Sequence, residues 1–295
     1  MKSFWAIIIV SILSASLTSV IILSNIGESA KATSSVQIEE SVYDRVLRTG
    51  RIKCGYGIWD PIMLKDPNTG KLSGIFYEYM EALAKKLNLK VEWREEIGWG
   101  EFGAALNQDR IDMMCSGIWP TAERARSMDF TRSIYYHPMY AWVRSDDQRF
   151  DNNLESANNE NITFSAQDGT IALAISQEDF PKAEKIVMQQ FSGQTEMLLN
   201  VTSKKADIVI QDKISVSLFL ETNPGSLKQV EGIGPLRFFG NTMAIKTGEY
   251  EFQRMIDHAT QDLLQSGVMD KIIDKYEKYP DSLLRVSAPY QHKRK

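Results

Sequence analysis

A run of strand, helix, strand, helix and strand patterns occurs twice in the chain, and this repetition constrains the fold more than any other feature. In the first run, apolar strand-like segments at 51–56, 90–95 and 110–115 are separated by a long amphipathic helix and by a short helix at 100–107. Strands that alternate with helices form a parallel sheet with right-handed crossovers. The long helix is predicted from apolar residues at steps of three and four: Phe76, Tyr79, Met80, Leu83, Ala84 and Leu87.

The second run predicts another α/β unit within residues 147–236. A connecting strand near 140–143 leads into it, and a return strand at 238–246 leads back to two C-terminal helices. Two α/β lobes joined by two crossing strands form a hinge, and the carboxyl ends of both sheets then face one cleft. The predicted parts are lobe 1 at 43–146, lobe 2 at 147–236, the return of lobe 1 at 237–285 and a tail at 286–295.

The amino terminus predicts export. Residues 4–23 carry no charge, and Ala30-Lys31-Ala32 offers a small-x-small cleavage site. The run is long enough to span a bilayer, so residues 1–32 are predicted to be a signal peptide or a membrane anchor, followed by a linker at 33–42. No cysteine follows the run to be acylated. The body of the protein is therefore expected in the periplasm or another extracytoplasmic space.

Composition and charge exclude several function classes. The net charge of −4 is spread over mixed signs, so nucleic-acid binding is not expected. The chain has no nucleotide-binding Gly-Lys-Thr loop, no His-Glu-x-x-His and no Gly-x-Ser-x-Gly. Its histidines, His137, His258 and His292, lack metal-ligand spacing, and a structural role is the better interpretation of His137 near the hinge. We therefore expect binding rather than catalysis, with no metal and no cofactor.

The two cysteines, Cys54 and Cys115, lie in apolar strand-like segments. In an oxidising compartment they could form a disulfide bridge. They could equally pack as two buried thiols, because neighbouring strands rarely meet the geometry of a bridge. Both interpretations stay open at the level of the sequence.

Arg124 follows an apolar strand that ends in small and polar residues. A guanidinium beyond the carboxyl end of a buried strand is suited to hold a planar carboxylate through two parallel hydrogen bonds. A surface ion pair with Glu123 or Asp129 is the alternative.

Asp212 occupies the corresponding position after the last strand of the second unit. A cation on one wall of the cleft and an anion on the other suit a zwitterion, which would draw the lobes together. The alternatives for Asp212 are a pairing with Lys213 and an N-cap of the following helix.

Four aromatic residues are predicted to line the rest of the cleft, because all follow strands of the first unit. A flat apolar side chain or an aliphatic stem could lie between them. They are Tyr56, Trp59, Trp99 and Trp119.

From about residue 43 to residue 280 the chain resembles the family 3 extracellular solute-binding proteins, the amino-acid-binding proteins of ABC importers. Its motif elements stand at 70–74 (Gly-Lys-Leu-Ser-Gly), 111–117 (Ile-Asp-Met-Met-Cys-Ser-Gly), 121–125 (Thr-Ala-Glu-Arg-Ala), 129–131 (Asp-Phe-Thr), 167–170 (Gln-Asp-Gly-Thr) and 206–212 (Ala-Asp-Ile-Val-Ile-Gln-Asp). The resemblance implies an α/β, two-lobed type II periplasmic-binding-protein-like fold with a hinge of two crossing strands. It also implies an amino acid or a related carboxylate as ligand, a membrane permease as partner, and a monomer.

The resemblance also implies roles for individual residues. Arg124 would hold the ligand carboxylate and Asp212 its amino group, while Ser116, Gly117 and Thr170 would supply hydrogen bonds. Trp59 and Trp99 match positions where the family commonly places aromatic residues over the ligand.

Three departures from the family pattern bear on the ligand. Trp119 stands where members usually have Ser or Thr, Ile171 where Thr is frequent, and Tyr56 in place of an acid used by binders of basic amino acids. Basic ligands are therefore disfavoured, and an apolar or aromatic amino acid, or a carboxylate that is not an amino acid, fits at least as well.

Two alternatives to a transport-linked binding protein remain. Cyclohexadienyl and arogenate dehydratases resemble these binding proteins, but the Glu expected three residues after Asp212 is replaced by Ser215. The other alternative is a ligand-sensing module of a membrane-associated system, which a retained apolar segment would favour.

Overall fold

Two groups of parallel strands, and a pair of long strands between them, form the framework of the protein in the computed structural model, which describes residues 40–280 and 282–286. The predicted signal peptide or anchor at 1–32 lies outside the described residues. So do most of the linker and nearly all of the tail.

The helices are α1 Val42–Thr49, α2 Ile75–Lys86, α3 Phe102–Asn107, α4 Ile171–Asp179, α5 Gln194–Thr202, α6 Lys213–Thr222, α7 Tyr250–Gln265 and α8 Val268–Tyr276. The strands are β1 Arg51–Tyr56, β2 Leu64–Lys65, β3 Leu72–Ser73, β4 Lys90–Glu96, β5 Met113–Ile118, β6 Met128–Phe130, β7 Tyr135–Arg144, β8 Thr163–Gln167, β9 Glu184–Met188, β10 Ile208–Asp212, β11 Leu227–Gln229, β12 Arg237–Lys246 and β13 Leu284–Arg285.

The sheet order is β4-β1-β5-β12-β7-β10-β8-β9. The first group, β4-β1-β5, and the second group, β10-β8-β9, are each parallel. Between them β12 and β7 pair antiparallel, with Asn241 opposite Tyr135 and Phe239 opposite His137. β7 carries the chain from the first group to the second and β12 returns it, so the predicted α/β fold with two connecting strands is confirmed.

Helix α2 forms where the hydrophobic periodicity of the sequence predicts it. Phe76, Tyr79, Met80, Leu83 and Ala84 are buried, whereas Leu87 caps the helix end and is half-buried. The two C-terminal helices, α7 and α8, both contact α2. The end of the described chain thus packs against the first group.

The connecting strand β7 is longer than the sequence predicts, since it begins at Tyr135 rather than near residue 140. Polar and aromatic residues at its start hide the alternation, yet they pair with β12 and are mostly buried. The proposed lobe boundaries at 146/147 and 236/237 fall just after β7 and just before β12. That these positions divide the chain into lobes stays a prediction.

Cys54 of β1 and Cys115 of β5 form a disulfide bridge, with their Cα atoms 5.4 Å apart. The two strands are direct neighbours in the first group, and both cysteines are fully buried. Of the two open interpretations, the structure therefore has the bridge.

Within the described residues, no helix combines the length and the apolar character needed to cross a lipid bilayer.

Candidate functional site

A pocket lies between the two groups of strands and collects six of the nine predicted site residues. Its cavity volume, counted as the space open to the centres of water-sized spheres, is about 50 Å³. Since one water needs roughly 10–15 Å³ by this measure, the pocket suits a compact solute. The six predicted residues that line it are Trp59, Trp99, Gly117, Trp119, Arg124 and Thr170, and the remaining lining residues are Met139, Gln167, Ile171, Ala172, Gln194, Met197 and Gln211.

Arg124 stands at the start of a 3₁₀ turn after β5. Its Nη1 donates to the main-chain oxygen of Trp119 at 3.0 Å, and its Nη2 donates to the main-chain oxygen of Gly169 at 2.9 Å. The guanidinium also lies 5.2 Å from the centre of the Phe102 ring, within range of a cation–π contact. Burial lowers the pKa of Arg124 to about 10, with Glu123 opposing the shift, so the side chain stays charged at neutral pH.

The alternative for Arg124, an ion pair with Glu123 or Asp129, is not present: among the described residues its guanidinium has no salt bridge to a carboxylate. A guanidinium has five N–H donors, and two are used here. The others remain for a ligand.

The aromatic walls of the pocket meet at nearly right angles. The ring centres of Trp59 and Trp99 are 6.2 Å apart at 88°, and those of Trp59 and Trp119 are 5.1 Å apart at 85°. Trp119 also stacks on Phe239 at 5.0 Å and 14°, which supports one of its faces. Such edge-to-face packing fixes the rings relative to one another.

Thr170 and Gly117 shape the pocket mainly through the backbone conformation and packing around them. The hydroxyl of Thr170 donates to the oxygen of Gln167 at 2.7 Å, which closes the turn between β8 and α4. A Cβ on Gly117 would lie 2.6 Å from Oδ1 of Asn241 and 3.0 Å from the Phe76 ring, so only glycine fits there.

Three predicted site residues do not line the pocket. Ser116 is fully buried, and its hydroxyl accepts from the nitrogen of Gly57 and donates to its oxygen, both at 3.0 Å. Tyr56 packs edge-on against Trp93 and lies under the ammonium of Lys65. Their ligand roles stay predictions; in the structure both residues shape the first group. The third is Asp212.

Asp212 ends β10 and is the N-cap of α6, the alternative that the sequence left open. Its Oδ1 accepts from the Ser215 nitrogen and its Oδ2 from the Ser215 hydroxyl, each at 2.9 Å, and the residue is fully buried. The same hydroxyl accepts a hydrogen bond from Nε1 of Trp59 at 3.3 Å. Asp212 thus supports a wall of the pocket through Ser215, and its contact with a ligand amino group stays a prediction.

Four buried polar atoms close to the pocket have no hydrogen-bond partner among the described residues. They are Nε1 of Trp119, the hydroxyl of Tyr135, Nε2 of His137 and Oδ1 of Asn241. Each such atom costs about 1–3 kcal/mol if it stays unpaired. The structural interpretation of His137 fits its place, because its Nδ1 is 3.0 Å from Nδ2 of Asn241 and it does not line the pocket. Burial lowers the pKa of His137 to about 4, while Asp212 opposes the shift.

Sequence reasoning missed several lining residues. Gln167 ends β8 and Gln211 directly precedes Asp212 at the end of β10, so the strand-end signal that selected Asp212 was available for both. Gln167 Nε2 donates to the main-chain oxygens of Gln190 and Ser192 at 2.5 and 2.7 Å. Met139, Met197 and Ala172 gave no signal, because their periodicity is that of core residues.

A second cavity adjoins the pocket, with about 590 Å³ by the same measure. The two spaces share Trp59, Trp99, Gln167 and Gln194. A substituent of a bound solute could therefore extend from the pocket into this cavity.

Comparisons with known proteins agree with this architecture. Residues 52–279 match the profile of the bacterial extracellular solute-binding proteins, family 3. An L-arginine-binding protein of Pseudomonas aeruginosa is 25% identical over 261 residues, which cover 84% of this chain and 93% of that protein. A probable histidine-binding protein of Campylobacter jejuni is 28% identical over 213 residues, or 70% of this chain and 77% of that protein.

Solved structures support the fold. A cysteine-binding protein from Campylobacter jejuni has a TM-score of 0.71 at 18% identity, covering 83% of this chain and 99% of that chain. An ancestral amino acid-binding protein, described as a precursor of cyclohexadienyl dehydratase, has a TM-score of 0.70 at 24% identity, covering 81% of this chain and 100% of that chain. With the family profile matched over most of its length, this chain belongs to the bacterial extracellular solute-binding proteins, family 3.

Proposed function

We propose that this protein captures a small carboxylate-bearing solute of the amino-acid class outside the cytoplasm and presents it, as a monomer, to the permease of an ABC importer. Relatives described as arginine- and histidine-binding proteins, and one described as a probable binding protein of an amino-acid ABC transporter, support this class of ligand and partner.

The observation that carries the proposal is the free donor capacity of Arg124. Arg124 is half-buried and charged, lines the pocket, and leaves Nε and one proton on each Nη unused by the described residues. A planar carboxylate matches this arrangement with two parallel, charge-assisted hydrogen bonds.

Calorimetry on the folded protein, with a panel of amino acids and related carboxylates, tests the proposal. A true ligand should raise the melting temperature and bind with one-to-one stoichiometry. Arg124→Ala should abolish binding while the variant keeps its unfolding transition. Full binding by a folded Arg124→Ala protein would overturn the carboxylate assignment.

A dehydratase activity is the enzymatic alternative, and one solved relative is described as a precursor of such an enzyme. Ser215 stands where the expected general acid would be, and its hydroxyl is engaged by Asp212 and Trp59. We therefore expect that incubation of the protein with prephenate or arogenate yields no aromatic product, as measured by absorbance.

Cleavage or retention of the N-terminal segment decides whether the protein is released from the membrane or stays anchored to it. We propose export through residues 1–32, with cleavage after Ala32 as the expected outcome. Sequencing of the mature protein should then begin at Thr33. An intact N-terminus recovered in the membrane fraction would favour the anchor and a sensing role instead.

A further inference from the structure

The pocket is lined by a positive charge without a matching negative charge. Arg124 is the charged residue among the described lining residues, and no Asp or Glu belongs to that lining. The nearby carboxylate of Asp212 is fully buried, with both of its oxygens engaged by Ser215. A primary ammonium carries three N–H donors and would meet no carboxylate acceptor among the residues that line the pocket. Burying such a group without full hydrogen bonding is unfavourable.

Three tryptophans supply the alternative way to bind a cation. Trp59, Trp99 and Trp119 all line the pocket, with Trp59 roughly perpendicular to the other two. Indole faces attract cations through the ring quadrupole, and sets of aromatic rings recognise quaternary ammonium groups, which have no N–H to satisfy. The lining methionines, Met139 and Met197, add soft apolar surface suited to methyl groups.

The tryptophans are held in place before any ligand arrives. Nε1 of Trp59 donates to Ser215, Trp119 stacks on Phe239, and Trp99 packs against the backbone of Gly57, where an added Cβ would lie 3.1 Å from the indole. A preformed aromatic site lowers the entropy cost of binding.

Resting on the carboxylate role proposed for Arg124, we propose that this pocket selects a compact carboxylate whose nitrogen is a quaternary ammonium, that is, a fully N-methylated amino acid. Arg124 binds the carboxylate and the three indoles surround the methylated nitrogen. The pocket together with the adjoining cavity has room for a solute of this size.

A methylation series tests the proposal directly. We would titrate glycine, N-methylglycine, N,N-dimethylglycine and N,N,N-trimethylglycine into the full-length mature protein and measure Kd by calorimetry. Affinity should rise with each methyl group, by at least tenfold from the first compound to the last. Equal or falling affinity along the series, tighter binding of glycolate, or no binding of any member would overturn the proposal.

Matched tryptophan variants provide the control. Trp99→Phe and Trp119→Phe should weaken trimethylglycine binding about tenfold or more, because phenylalanine is the weaker cation–π partner. Trp93→Phe should leave Kd unchanged, since Trp93 is half-buried, as Trp99 is, but stacks on Tyr77 outside the pocket. Unfolding curves of each variant verify the fold. An equal loss in the Trp93 variant would overturn the aromatic assignment.

The two proposals fail in different ways. Arg124-dependent binding of primary amino acids, with no gain from methylation, would retain the proposed function and reject the quaternary ammonium. Undiminished trimethylglycine binding by Arg124→Ala would instead reject the carboxylate role on which both depend.

Discussion

Nη2 of Arg124 lies 2.9 Å from the main-chain oxygen of Gly169, and this hydrogen bond joins the two sides of the pocket. Arg124 follows β5 of the first group, whereas Gly169 lies in the turn after β8 of the second group. The side chain proposed to hold the solute therefore also connects the parts between which the solute binds. Under the proposed role of Arg124, one guanidinium would therefore link solute capture to the contact between the two groups of strands.

Arg124→Lys separates charge from geometry. Lysine keeps a positive charge but lacks the planar fork, so it cannot pair bidentately with a carboxylate or reach Trp119 and Gly169 at once. We expect affinity for a carboxylate solute to fall roughly 10–100-fold, the equivalent of about one lost charge-assisted hydrogen bond. Calorimetry checks this. Affinity within threefold of the parent protein would contradict bidentate recognition.

Gly169→Ala should weaken binding and stability together. Gly169 has φ of +74°, and an added Cβ would lie 2.6 Å from the nitrogen of Gly100. Gly225→Ala is the matched control, because Gly225 has φ of +68° but open space around it. The control should cost about 1 kcal/mol in free energy of unfolding, from backbone strain alone. Gly169→Ala should lower the free energy of unfolding by more than Gly225→Ala does, and it should raise Kd. Equal losses of unfolding free energy in urea titrations of the two variants would contradict the close contact.

Acid should destabilise the protein through His137. The pKa of this buried side chain is about 4 in the folded state, against about 6.5 in the unfolded chain. Between these values the unfolded state binds more protons, so the free energy of unfolding falls as pH drops from 6.5 to 4. The loss is on the order of 3 kcal/mol. His137→Gln should flatten this part of the profile, and His258→Gln, at an exposed position, should not. An unchanged slope in the His137 variant would refute the assignment.

The disulfide between Cys54 and Cys115 should contribute strongly to stability. It closes a loop with a sequence separation of 61 residues. The chain-entropy treatment then gives about 4 kcal/mol of stabilisation. Urea unfolding of Cys54→Ala/Cys115→Ala, and of the parent protein with and without reductant, measures it. Reductant should have no effect on the double variant, and a parent protein equally stable in reductant would contradict the prediction.

The alternation of strands and helices predicts most of the fold. The face of α2 is confirmed from Phe76 to Ala84, because one buried side of a helix leaves a clear period in the sequence. The start of β7 is not predictable in this way. Tyr135 is buried against Phe76, and His137 against Trp59 and Trp119, and such long-range contacts leave no local pattern.

For the site, strand ends were the useful signal. They brought Arg124 and three tryptophans to one pocket, since the carboxyl ends of parallel strands meet at one edge, whereas Thr170 was implied by the family resemblance. The same rule could not say which way Asp212 faces. Its carboxylate serves equally as a helix cap or as a ligand contact, and Ser215 three residues later favours the cap.

The close approach of Gly169 to the main chain of Trp99 and Gly100 also bears on kinetics. With the nitrogen of Gly100 only 2.6 Å from where a Cβ would stand, the two turns leave no gap at this point. On the proposed function, a solute would leave this side only after the two turns part, so their contact would slow its release. Because Gly169 also accepts a hydrogen bond from Arg124, this contact is linked to the group proposed to hold the solute.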